Sequence, residues 1–144
     1  MRLREVRSAV DLGRWLQSVG ITPSEHPAFG GVHDVHTNGS LHYGGAPNVA
    51  EMRRRGLKGK ALDVNDTDPM DDGFRKDFRT EREALQFLYF RLLHAAEKFG
   101  WPLDELFFAG FGYIKEEGRP TEAPNHPVPN HENHLHVALT ESDF

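Results

Sequence analysis

Apolar positions recur at helical spacing in two stretches of the chain. In residues 8–19 (SAVDLGRWLQSV), Val10, Trp15, Leu16 and Val19 form a partial stripe. Ser8 can cap this helix, Asp11 stands in its first turn and Gly20 ends it. Residues 81–99 carry the stronger pattern: Leu85, Leu88, Leu92, Ala96 and Phe99, with Phe87, Phe90 and Leu93 widening the stripe. Thr80 and Glu83 make a capping box, and Gly100 with Pro102 stops the helix. Strand-like patterning falls at 32–37, 61–65, 106–114 and 134–140. Residues 21–31, 38–40, 66–79 and 115–130 read as turn or loop, and 43–60 as irregular or weakly helical. Helices and strands mix without a repeating βα rhythm. The expected class is therefore α+β, with a small, mainly antiparallel sheet flanked by helices in a single domain over 1–144.

Two of the strands place chemistry and core on opposite sides. Alternate side chains of a strand share a face. In 134–139, His134, His136 and Ala138 fall together, with Leu135, Val137 and Leu139 opposite. In 61–65, Ala61, Asp63 and Asn65 share one face, and Leu62 and Val64 the other. The apolar faces can pack on a helix while the imidazoles and the carboxylate line a cleft. Catalytic zinc takes three protein ligands from His, Asp and Glu plus a water, so a His-Asp-His set suits it.

Composition narrows the chemistry further. The chain has 144 residues, no cysteine and nine histidines. Without cysteine there is no disulfide scaffold, thiolate zinc cluster, iron–sulfur site or cysteine nucleophile. The histidines cluster as His33, His36 and His42, then His131, His134 and His136, leaving His26, His94 and His126 apart. A net charge of −5 argues against a general nucleic-acid binder. No apolar run reaches the length of a membrane span, and the charged N-terminus lacks the apolar stretch of a secretory signal.

The segments G39-S40-L41-H42-Y43, G59-K60-A61-L62-D63-V64-N65 and H131-E132-N133-H134-L135-H136-V137 together resemble the LAS-type zinc peptidases. That group includes lysostaphin, the D-Ala-D-Ala metallopeptidases and hedgehog. Its pattern is S-x-H-x-x-G-x-A-x-D followed much later by H-x-H. The H-x-x-H-x-H at 131–136 is similar to that of the penicillin-insensitive murein endopeptidases, and HPAFGGVHDVHTNGSLHY to peptidase domains of actinobacteriophage endolysins. The resemblance implies a hedgehog/DD-peptidase-like fold and zinc held by His42, Asp63 and His136. It also implies His134 as the proton-handling residue, assisted by His131. The implied activity is cleavage of stem-peptide amide bonds in bacterial peptidoglycan, such as L-Ala-D-Glu or a cross-link.

Two neighbouring activities share the pattern: a D-Ala carboxypeptidase, and a non-catalytic zinc-binding structural or interaction module. The expected protein is a monomer without nucleic-acid or membrane partners, made in the host cytoplasm and acting at the cell wall. One departure stands out. Residues 43–58 are inserted between His42 and Asp63, which leaves His36 and His33 as alternatives for the first ligand. Where some relatives carry a carboxylate three residues before the last ligand, this chain has Asn133, with Glu132 beside it.

The remaining features have ordinary readings beside functional ones. The basic run Arg53–Arg55 with Lys58 and Lys60 is a solvated face or a clamp for stem-peptide carboxylates. Asp66, Asp68, Asp71, Asp72 and Gly73 read as an acidic turn, since the calcium-loop Gly and Glu positions are missing. His26, His94 and His126 read as structural, and Phe107, Phe108, Phe111 and Tyr113 as core.

Overall fold

The computed structural model describes residues 1–36, 38–66, 78–108, 111–116, 119–122 and 134–139. Among them are three α-helices: α1 (Ala9–Ser18), α2 (Val49–Arg55) and α3 (Glu81–Phe99). The strands are β1 (Thr22–Ser24), β2 (Ala61–Asp66), β3 (Leu103–Phe108), β4 (Phe111–Glu116), β5 (Arg119–Glu122) and β6 (Leu135–Leu139). They form one sheet in the order β1-β2-β6-β3-β4-β5, and all paired neighbours run antiparallel. The class is α+β with a small antiparallel sheet. Among the described residues, no helix is long and apolar enough to cross a membrane.

Local chemistry sets the helix ends. The Ser8 hydroxyl accepts the Asp11 N–H at the start of α1, and the Thr80 hydroxyl accepts the Glu83 N–H at the start of α3. Gly100 closes α3 at φ +66°, a backbone that glycine adopts without strain. One continuous core joins Leu12 and Leu16 of α1 and Leu85, Leu88, Tyr89 and Leu92 of α3 to the sheet. The sheet contributes Leu62, Val64, Leu106, Phe108, Leu135, Val137 and Leu139. Each such aliphatic side chain contributes about 1.5–3 kcal/mol by leaving water. Gly13 lets α1 approach the loop at 26–31, because a Cβ there would overlap the buried ring of Phe29.

Several sequence expectations are corrected. Residues 106–114 are not one strand but a hairpin, β3 turning into β4 with Phe108 opposite Phe111. Residues 32–36 form no strand, because Glu25 and Tyr43 hold their backbone. Strands β1 and β5 lie in segments read as loop, and β1 carries its Pro23 on the sheet edge, where a missing N–H is tolerated. On α3, Phe87 and Phe90 are about half exposed. The expected Leu85, Leu88, Leu92, Leu93 and Ala96 are buried, and Ala84, Tyr89 and Ala95 widen the stripe in place of the two phenylalanines.

β6, the last strand among the described residues, lies in the middle of the sheet, between β2 and β3, and this positions the site. β6 pairs with β2 so that His136 stands opposite Asp63, and with β3 so that His136 stands opposite Phe107. The inserted residues 43–58 loop out and return. Lys60 N–H bonds the Leu41 carbonyl at 3.0 Å, and Leu139 N–H bonds the Lys60 carbonyl at 2.8 Å. Gly44, at φ +64°, leaves room for the Lys58 carbonyl at the neck of this loop. A second small core joins Tyr43, Ala46, Val49 and Met52 of the insertion to Val32 of the preceding loop.

Candidate metal centre

The alternation read in 61–65 and 134–139 is what the sheet displays. Leu62, Val64, Leu135 and Val137 enter the core, while Asp63 and His136 meet on the other face. That face is dry: Asp63 is 4% exposed and His136 5%. Ala61 and Ala138, paired and fully buried, keep it free of bulk beside them. Phe107 stacks on the His136 ring, with centroids 5.5 Å apart and planes 15° apart.

His42 reaches this face from a single 3-10 turn, Leu41–Tyr43, capped by the Ser40 hydroxyl on the His42 N–H. Its Nδ1 lies 2.8 Å from the Glu25 carbonyl oxygen. A carbonyl only accepts, so Nδ1 carries the proton and Nε2 is left as a bare lone pair. That Nε2 lies 3.1 Å from Asp63 Oδ1 and 3.0 Å from His136 Nδ1, and His136 Nδ1 lies 3.3 Å from the same carboxylate oxygen. The other nitrogen of His136, Nε2, is 3.0 Å from Glu105 Oε1. Both imidazoles therefore have their outer nitrogen tied to an oxygen, the arrangement that orients metal-binding histidines.

The three inner atoms fit a small cation. Two atoms bound tetrahedrally to zinc at its usual distances are about 3.3 Å apart, and the observed separations run from 3.0 to 3.3 Å. His36, His42 and Asp63 could also hold a metal ion, each offering one atom within 4.8 Å of the others. The ring planes separate these two sets. His36 stacks on His42 at 3.9 Å with planes 17° apart, so their lone pairs lie in nearly parallel planes. His136 stands at 70° to His42, which lets the two lone pairs converge.

The charges explain how such a group stays buried. Burial alone would favour the neutral acid at Asp63, but the hydrogen bond from His136, with the neighbouring His42 ring, outweighs it and holds the carboxyl well below its usual range. Burial alone would also discharge His136. Asp63 and Glu105 outweigh that and push it up to about 9. Without metal, a proton on His136 Nδ1 therefore occupies the place between the three atoms. At His36, burial and the neighbouring His42 outweigh Asp63 and Glu25, and the pKa is lowered.

The sequence candidates divide clearly. His42, Asp63 and His136 meet at one point, and His33 does not join them: it is exposed and paired with Glu25 at 2.9 Å. His134 stands beside the centre, its Nε2 3.8 Å from the second Asp63 oxygen, and is more exposed than the other three residues. His131 lies outside the described residues, as do Glu132, Asn133, His126 and nearly all of the acidic stretch. His26 is buried, its Nδ1 accepting the Ala28 N–H, and His94 is exposed on α3. Arg54 and Arg55 are drawn onto Glu51, so the basic run is not one clamp.

Glu25, Glu105 and Phe107 were not singled out as site residues by the pattern. Glu105 and Phe107 alternate on β3, but that strand begins earlier than its hydropathy indicates. Glu25 carries no sequence signal. It adopts φ +57°, and this turns its carbonyl to His42 and its carboxylate to His33 and His36. Burial favours the neutral acid at Glu25, but the His33 N–H and ring together with His36 outweigh it and lower its pKa. In the Gly-x-Ala-x-Asp segment, a Cβ at Gly59 would press on the His26 ring and on Pro27 at 3.0 Å.

Compared with protein-family models, with curated proteins and with solved structures, the chain matches none.

Proposed function

We propose that this chain is a zinc-dependent peptidase of the bacterial cell wall, cutting amide bonds of peptidoglycan stem peptides. The observation that carries the reading is the meeting of His42 Nε2, Asp63 Oδ1 and His136 Nδ1 within 3.0–3.3 Å. These atoms come from segments far apart in the chain, and they are the positions that the resemblance to LAS-type peptidases singles out. The antiparallel sheet is consistent with the hedgehog/DD-peptidase-like fold of that group.

In this reading His42, Asp63 and His136 hold the zinc. When bound, zinc supplies a Lewis acid for the scissile carbonyl and lowers the pKa of water towards neutrality. The protein's own groups do the rest. Glu25 and Glu105 fix the two imidazoles by their outer nitrogens. Phe107 covers one side of His136 and excludes water there. His134, beside the triad, holds a proton at Nε2 for the oxyanion and passes it to the leaving amine. His131 is assigned an assisting role. The protein acts as a monomer at the cell wall.

A second reading, a non-catalytic zinc module, is favoured by one observation. His36 stands close enough to His42 and Asp63 to offer a fourth protein ligand and close the site.

The test is metal analysis with digestion of purified cell walls. The peptidase reading predicts about one zinc per chain by the three-ligand logic, wall cleavage, and its loss with a chelator. His134→Ala should keep the metal and lose turnover, whereas Asp63→Ala and His136→Ala should lose the metal. In the structural-module reading, His36→Ala loses the metal and nothing is cut. Mass spectrometry of released muropeptides separates an endopeptidase from a D-Ala carboxypeptidase. Full lytic activity in metal-free protein would overturn the mechanism.

A further inference from the structure

The inserted segment builds a feature that the metal centre does not use. Between α2 and the loop at 26–32 lies a groove of about 470 Å³. Val32, Val49 and Met52 form its apolar floor, Gly59 part of its wall, and Arg53 and Lys58 its charged groups. The two cations differ from their neighbours. Arg54 and Arg55 share the carboxylate of Glu51 at 2.7–3.1 Å. Arg53 and Lys58 have no carboxylate partner among the described residues. On a chain of net charge −5, this is a local positive site over an apolar floor.

The groove is also near the centre along the chain. Gly59 lies four residues before Asp63, and four residues of extended chain span at most about 14 Å. On its other wall, His26 directly follows Glu25, whose carbonyl holds His42. The groove wall and the centre therefore lie within the span of a short extended peptide.

We propose that this groove is a second binding site, which takes a peptide segment carrying a free carboxylate beside small apolar side chains. The inference rests on the peptidase reading, for which the groove anchors the stem peptide away from the bond that is cut. Arg53 and Lys58 hold the carboxylate by charge-assisted hydrogen bonds, and the apolar floor takes the adjoining methyl groups.

Calorimetric binding of a synthetic stem peptide to the zinc-loaded His134→Ala chain tests this, with the D-Glu α-carboxylate either free or amidated. The added double substitution Arg53→Ala/Lys58→Ala should weaken binding of the free-carboxylate peptide about tenfold or more. It should leave the amidated peptide unchanged. Arg54→Ala, already committed to Glu51, should change neither. Equal binding of the free acid with and without the double substitution would overturn the proposal. So would an equal loss for the amidated peptide, or displacement by inorganic phosphate at the peptide's own affinity. Cleavage by the otherwise unmodified chain is read separately by mass spectrometry. A groove that binds without cleavage refutes the peptidase reading alone, and cleavage without groove binding refutes this inference alone.

Discussion

Strands β2 and β6 present two faces that are equally dry and held in different ways. One buries Leu62, Val64, Leu135, Val137 and Leu139 against the helices; the other buries Asp63 and His136 at 4–5% exposure. The first face is held by removing apolar surface from water, and its tolerance is a matter of volume. The second carries ionisable groups that are costly to desolvate, so each must be satisfied by a partner. The difference teaches where each face is vulnerable. The core yields to a lost methylene, and the centre yields to a lost proton acceptor or donor even when its volume is kept.

The largest expected effect breaks the comparison on the apolar side. Leu62→Ala should cost about 2–5 kcal/mol of stability by urea unfolding, while the folded fraction still binds one metal. Loss of metal at unchanged stability would mean that the two faces are not separable.

A smaller effect is expected on the polar side. Glu105→Gln keeps the volume and removes the charge that holds His136 Nε2. Metal affinity should fall about 10–100-fold, with the urea midpoint of the metal-free chain moving much less than in Leu62→Ala. Competition with a chromophoric chelator measures this, and an unchanged affinity would remove Glu105 from the centre.

A third effect is on pH. His136 is raised from 6.5 to about 9 in the metal-free chain, so its contribution is complete below 6.5 and is lost as pH rises to about 9. Asp63 is depressed, so its contribution is present above 3.8 and is lost as pH falls through the folded value. Urea midpoints of the metal-free chain should therefore decline at both ends. Metal requires Nδ1 without its proton, so affinity should increase with pH between 6.5 and 9, with proton release seen by calorimetry in two buffers. A metal-free profile that stays level across that alkaline range would contradict the assignment of the proton to His136.

Much of this was legible where local rules act alone. The capped 3.6-residue pattern marked α3 at Glu81–Phe99, and period-two alternation separated the faces of β2 and β6. Residues 106–114 misled because an aromatic run with glycines fits one buried strand as well as a hairpin. Residues 32–36 have β-type side chains, yet tertiary bonds from Glu25 and Tyr43 override that preference. In the centre, strand alternation placed Asp63 and His136 on one face, whereas His42 was singled out by the resemblance alone. Glu25 was not, because it acts partly through a backbone carbonyl that every residue has. Glu105 was hidden by the central placement of β6, which no local pattern encodes.

The central claim is that His42, Asp63 and His136 together bind one metal ion. Anomalous scattering at the zinc edge, from crystals of the zinc-loaded chain, tests it most directly. The account predicts one peak about 2.0–2.2 Å from His42 Nε2, an Asp63 carboxylate oxygen and His136 Nδ1. A peak bonded to His36 and not to His136, or no peak at this position in protein loaded with one zinc per chain, would contradict it.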